Sequence, residues 1–389
     1  MVVVRRGDYE GREQAYVKHF VLERYLQQLA LKVGHFRPGT TLNYIDGFSG
    51  PWQQATQDLR DTSPHVALTE LLEARAELGR SEKEFNVRGF FVEREPEAFE
   101  RLQGLLRAFS SAETVAYRGE FEAHVEEARR FATQGRNPFA FIFIDPTGWT
   151  GYPLAAITPL LRVEPCEVLI NFMTKDIMRF VDDESSSARE SFNELFGDDV
   201  HRDEWRALAG SEREDRIVEA YGDRLRIAGK FRHVGATVVL HPQHDRTHYH
   251  LVYATRSLHG LVAFREAERR AMPEQKGIRA AARQKGREGR TGQQELFGAA
   301  AMETSYMDEL RERYHGRARS KIEALLAQRG SAPFDEVIGA ALEVPMTSLG
   351  DLKGWLEELR SEGRVEYVGL AAGQRTLKEG QRHAVSWRG

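Results

Sequence analysis

The sequence predicts a doubly wound α/β domain followed by a small, mainly helical one. Three observations carry that prediction. Short apolar runs and amphipathic helical stretches alternate strictly from Leu42 to Phe172. The most apolar run, Pro138 to Pro146, is continuous rather than alternating, as a strand covered on both faces of a parallel sheet requires. A chain of 389 residues also exceeds what one ordinary hydrophobic core holds.

From the start of the chain, Val17, Phe20, Val21, Tyr25 and Leu29 recur at helical spacing, so an amphipathic helix spans Ala15 to Leu31. After a Gly/Pro break, the strand Leu42 to Ile45 runs into a turn of Gly47, Ser49, Gly50 and Pro51. Ser63 as N-cap and Pro64 at the first helical position open a helix through Leu78. Val87 to Val92 is a strand, Pro96 to Phe109 a helix, Thr114 to Tyr117 a strand and Phe121 to Thr133 a helix. The Pro138 strand follows, and Glu167 to Phe172 repeats its pattern. Residues 174–230 are polar and helical, an insertion or cap, whereas Gly235 to His241 and Tyr249 to Thr255 read as an antiparallel hairpin that finishes the sheet.

The large domain thus covers residues 1–272. Residues 273–315 read as a basic linker or weakly ordered arm; nine Lys/Arg stand against four Asp/Glu between Arg265 and Arg290. In residues 316–389, Ala318 to Arg329, Phe334 to Leu342 and Ser348 to Glu362 are helical, and RVEYVGL and HAVSW form strands. Three helices followed by a two-stranded wing is a winged-helix pattern.

Composition excludes several classes. Apolar residues make up 41% and charged residues 29%, the balance of a globular rather than a disordered chain. No apolar run approaches the roughly 20 residues of a membrane helix, and the first residues lack a signal-peptide cleavage pattern. A cytoplasmic protein without a membrane partner is therefore expected. The single Cys166 excludes an internal disulfide and a cysteine-rich metal site. A net charge of −4 argues against wholesale coating of nucleic acid but leaves room for local basic patches.

The chemistry concentrates at strand ends, where doubly wound sheets bind ligands. Asp46 ends the first strand and leads into Gly47, Phe48, Ser49 and Gly50, whose small residues let a ligand approach the backbone. Glu93 ends the second, where a carboxylate can accept both hydroxyls of a ribose. Glu120 and Phe121 follow the third, with Phe121 placed to lie against an adenine ring, and Asp145-Pro146-Thr147-Gly148-Trp149 ends the fourth.

YIDGFSGP, FFVERE, FIDPTG and VLINF, in that order, resemble the class I S-adenosylmethionine-dependent methyltransferases. More narrowly, KHFVLERYL, YIDGFSGP, FIDPTG and the ELFG before the C-terminal domain resemble the bacterial three-Cys-motif partner protein family, TcmP. The resemblance covers most of the chain. It implies a Rossmann-like methyltransferase fold joined to a winged helix, S-adenosylmethionine as cofactor, and a separate protein that holds the three cysteines. Asp46, Gly47, Phe48, Ser49, Gly50, Glu93, Glu120 and Phe121 would then hold the cofactor. The chain departs from the pattern at two places. Trp52 stands near where many methyltransferases have another loop glycine, and Asp-Pro-Thr-Gly-Trp replaces the Asp-Pro-Pro-Tyr usual in adenine amino-methyltransferases.

Methylating an exocyclic amine requires acceptors for its hydrogens, so that the nitrogen lone pair points in line at the methyl donor. The Asp145 carboxylate and the Pro146 carbonyl can accept them, and Trp149 is available to stack an extruded DNA or RNA base. Lys18 and His19 on the opening helix, and Arg375 and Lys378 on the wing, are the candidate substrate contacts. Each residue has a plainer reading: Asp145 as a helix cap, Trp149 as a packed aromatic, Lys18 and His19 as surface or packing residues. His241, His244, His248 and His250 cluster on the hairpin, but without cysteines and with loose spacing no metal is expected. Carbon-5 pyrimidine methylation needs a thiolate nucleophile, and Cys166 lies at the sheet edge opposite the ligand edge. The competing class is a catalytically inactive methyltransferase-fold platform for DNA or for the partner protein.

Overall fold

A computed structural model describes residues 4–50, 59–197, 202–291 and 304–389. Its centre is a seven-stranded sheet in the order β3-β2-β1-β4-β5-β7-β6. The strands are β1 (Thr40–Asp46), β2 (Phe85–Glu93), β3 (Glu113–Arg118), β4 (Pro138–Ile144), β5 (Cys166–Phe172), β6 (His233–Leu240) and β7 (Thr247–Thr255). The first five are parallel; β7 joins β5 antiparallel and β6 completes the hairpin. Chain order reverses between β1 and β4, so the crevice at their carboxyl ends is the topological switch point where such sheets bind ligands.

Alternate residues of each central strand feed two cores. Leu42, Tyr44, Phe141, Phe143 and Leu169 pack under α1 (Glu13–Phe36), α2 (Ser63–Arg80) and α10 (Leu258–Thr291). Ile45, Ile142, Ile144, Val168 and Ile170 face α4 (Val125–Ala132), α5 (Leu154–Leu161) and the inserted helices. That double burial is why PFAFIFI is continuously apolar. α3 (Pro96–Ala108) joins β2 to β3. The polar 174–230 segment folds as α6 (Thr174–Phe180), α7 (Ser186–Phe196), α8 (Arg202–Arg206) and α9 (Gly210–Gly229).

One expectation is corrected outright. Residues 273–291, read as linker, continue α10, and residues 306–315 begin α11 (Tyr306–Arg329). The inward stripe is Gln275, Ile278, Arg279 and Ala282, in which two polar residues hide the helical periodicity from a hydropathy reading. Arg279 is buried because its guanidinium donates to the His244 carbonyl at 3.2 Å and to Asp245 at 2.7 Å.

After α11 come β8 (Ser331–Pro333), α12 (Phe334–Leu342), α13 (Leu349–Ser361), β9 (Val365–Val368) and β10 (Ala384–Trp387). These strands form a second sheet in the order β8-β10-β9, three strands where the sequence suggested two; the added strand is a three-residue Ser-Ala-Pro with no strand signature of its own. Ser348 and Asp351 cap α13 reciprocally. Buried Arg265 of α10 ties this unit to the sheet, donating to the carbonyls of Leu342 at 2.6 Å and Ala236 at 2.8 Å while pairing with Glu268 at 2.7 Å.

Candidate functional site

The glycine loop is held between two strands: Gly47 N–H donates to the Phe143 carbonyl at 3.1 Å and Ser49 N–H to the Val92 carbonyl at 2.8 Å. Asp46, fully buried, braces it from inside. Its carboxylate accepts from Ser63 Oγ at 2.8 Å, Phe48 N–H at 3.1 Å and Tyr44 Oη at 3.2 Å. Burial without a cation raises its pKa to about 6 despite those donors. Asp46 thus shapes the loop rather than facing open space.

The rim above the loop is built against its glycines. Phe121 lies buried on Gly47, where a Cβ would come within 2.8 Å of the ring, and Phe48 tilts against Phe121 at 5.8 Å between centroids. A Cβ on Gly50 would overlap the Glu93 carboxylate. Glu93 Oε1 accepts from Glu95 N–H at 2.6 Å, and burial pushes its pKa up. These contacts form a cradle that only glycine permits, with a carboxylate and an aromatic ring at its two ends. Glu120 points elsewhere, toward Arg94 on the exposed surface at 3.6 Å. Trp52 lies outside the described residues.

Beside this rim opens a cleft of ≈ 440 Å³ that includes Phe48, Gly50, Ser63, Asp145, Pro146 and Lys18 in its walls. Asp145 pairs with Lys18 through Oδ2, and its Oδ1 accepts from Asn171 Nδ2 at 2.7 Å. Lys18 reaches the fourth strand's end because α1 packs across the sheet, a juxtaposition no local spacing reveals. Its neighbour His19 also lines the cleft, with Nδ1 2.9 Å from Tyr9 Oη, and burial holds its pKa well below the usual value.

Glu93 and Phe121 stand at the glycine loop without lining the cleft, and three more candidates lie apart from it. Trp149 is 9% exposed and packs on Phe180 at 5.7 Å and Phe192 at 4.8 Å, so its faces belong to the core beneath the inserted helices. Arg375 and Lys378 lie on the segment between β9 and β10 and are not among the cleft's lining residues. Asn171, Tyr249 and Arg12 do line it and escaped sequence reasoning, as does His248, which the sequence offered only as one of the clustered hairpin histidines. Asn171 alone carried a local signal, a polar residue inside the apolar run VLINF.

Cys166 opens β5 at the sheet's opposite edge, where burial raises its pKa to about 11. Of the hairpin histidines, the rings of His241 and His244 lie 4.5 Å apart, tilted by 40°, while buried His250 bonds Thr174 Oγ1 at 2.7 Å. Among the described residues no helix is long and apolar enough to cross a membrane.

No family model and no curated protein matches the chain. Solved structures similar to it include a Legionella pneumophila protein, 11% identical with a TM-score of 0.38, covering 65% of this chain and 86% of that one. An O-methyltransferase family protein from Burkholderia thailandensis is 13% identical with a TM-score of 0.29, covering 63% of this chain and 60% of that one. A loganic acid methyltransferase with SAH is 9% identical with a TM-score of 0.30, covering 70% of this chain and 88% of that one.

Proposed function

We propose that the protein is an S-adenosylmethionine-dependent methyltransferase that modifies an exocyclic amine of a nucleic-acid base and works beside a three-cysteine partner protein. The observation that carries the reading is the glycine cradle, with Glu93 on Gly50 and Phe121 on Gly47, opening beside the cleft that holds Asp145. In this reading Glu93 accepts the ribose hydroxyls and Phe48, which lines the cleft, offers its ring to the base, while Phe121, buried against Gly47 and Phe48, backs the cradle. When bound, S-adenosylmethionine supplies the methyl group on a sulfonium.

The chain's own residues do the rest. Asp145 and the Pro146 carbonyl accept the hydrogens of the substrate amine and turn its lone pair toward the cradle. Each carboxylate oxygen has a second acceptor site, so the Asn171 and Lys18 contacts orient Asp145 without exhausting it. Holding the reacting atoms in line is worth several kcal/mol by itself, on the order of the ~7–11 kcal/mol available to ideal positioning. Arg12 and Lys18 line the cleft, each paired with a carboxylate, Asp61 and Asp145, so contact with the phosphates of a polyanionic substrate falls to basic residues outside it. The helix and strand order of residues 306–389 supports reading that unit as a winged helix, with its basic wing as a further nucleic-acid contact.

Calorimetric titration with S-adenosylhomocysteine should show binding that Asp46→Ala abolishes, because the loop loses its brace. Radiolabelled methyl transfer to pooled cellular RNA and DNA, with and without the partner, should vanish in Asp145→Ala; unchanged transfer removes Asp145 from the mechanism. The platform reading draws on the Asp-Pro-Thr-Gly-Trp departure from the amino-methyltransferase pattern, and cofactor binding with no transfer to either pool would favour it.

A further inference from the structure

Asn171 is the one polar side chain in the outer half of β5 amid Leu169, Ile170 and Phe172. It is 3% exposed, faces α1 and lines the cleft. Its Nδ2 donates to Asp145 Oδ1 at 2.7 Å, which settles the orientation of the amide, since a carboxylate needs a donor. Its Oδ1 is buried with no hydrogen-bond partner among the described residues. An unsatisfied buried acceptor is destabilising, and a leucine-like side chain would suit this strand better for folding alone. The polar group is therefore explained by what its other end does.

We propose that Asn171 is a positioning residue: it locks the Asp145 carboxylate from the sheet side, while Lys18 holds it from α1, so that the remaining lone pairs face the cleft and the substrate amine. The assignment rests on the methyltransferase reading. Arg12, Lys18, His19, Asp61, Asp145, His248 and Tyr249 are the titratable and charged groups that line this cleft. An orienting donor of this kind governs geometry at the reacting centre, where misplacement by about 1 Å lowers rates about 100-fold.

Two substitutions separate positioning from mere packing. N171A should leave S-adenosylhomocysteine affinity within twofold of wild type and lower the transfer rate at least tenfold at every pH. N171D sets a second carboxyl 2.7 Å from Asp145. At low pH the pair shares a proton and the introduced carboxyl donates as the amide did, so transfer recovers; at high pH the proton is lost and transfer collapses. The same pairing should make the melting temperature of N171D fall with rising pH relative to wild type, and D145N should abolish that dependence in the double variant, a readout independent of turnover. Transfer by N171A within threefold of wild type, or an N171D melting profile parallel to wild type, overturns the assignment of Asn171 alone. Wild type that methylates neither pool overturns the proposed function and this assignment together.

Discussion

Gly50→Ala tests the cradle with one methyl group. The new Cβ would overlap the Glu93 carboxylate and stand 3.2 Å from its other oxygen, Oε1. Glu93 is the flexible end of a side chain, so the fold accommodates the change by swinging the carboxylate aside. That movement breaks the 2.6 Å hydrogen bond from Glu95 N–H, a loss of about 1 kcal/mol and a melting shift of about 2–4 °C. The effect on the cofactor is larger. A carboxylate accepting ribose hydroxyls contributes about 1.5–3 kcal/mol, so its displacement weakens S-adenosylhomocysteine about 10- to 100-fold. Isothermal titration of wild type and Gly50→Ala, with melting curves on the same samples, reads both quantities. A variant that melts within a few degrees of wild type yet binds within threefold would refute the placement of the sugar at Glu93.

Three further outcomes are expected. Asp46, with a folded pKa of about 6, holds its proton more tightly folded than unfolded, so its contribution is complete below the unfolded value and lost as pH rises through about 6. Denaturant unfolding of D46N should therefore gain on wild type by up to about 3 kcal/mol between pH 4 and pH 7; parallel profiles would contradict the burial argument. W149A should lower stability by about 3–5 kcal/mol, as loss of a packed indole requires, and an unchanged melting temperature would return Trp149 to the list of substrate contacts. R265A leaves Glu268 buried without its cation, destabilising the junction by about 3–5 kcal/mol; limited proteolysis should then release the 304–389 unit, and an intact digest pattern would show the junction held by other contacts.

Much of the scaffold was legible because its signals are local. Seven strands coincide with apolar runs, and α2 begins at Ser63-Pro64, although its N-cap is Thr62 rather than Ser63, whose hydroxyl goes to Asp46. What escaped depends on partners distant in sequence. The α10 extension carries Gln275 and Arg279 inward, a choice explained only by the hairpin residues they meet. Trp149 follows Asp145 by four residues, but the chain turns between them and delivers the indole to the opposite core. The Lys18 contact spans 127 positions and the Asn171 contact 26, so neither could be inferred from motif spacing.

The three strand-end acids also show why residue type at a sheet edge underdetermines role. Asp46, Glu93 and Asp145 end β1, end β2 and follow β4, yet their surroundings differ in kind. Asp46 sees only internal donors and no cation, so it serves as a brace and titrates near 6. Glu93 accepts from the backbone at Glu95 and Arg94 and has a glycine against Oε2, and its remaining lone pairs are the acceptors for a bound sugar. Asp145 alone pairs with a lysine while lining the open cleft, which combines a fixed orientation with access. Division of labour among three like groups thus follows from what each one's neighbours donate. It predicts that exchanging the acids' side-chain lengths, Asp46→Glu or Glu93→Asp, impairs cofactor binding, whereas Asp145→Glu spares binding and impairs transfer. A binding defect in Asp145→Glu, with Asp46→Glu silent, would show that the cofactor rim lies over the cleft instead of the glycine cradle.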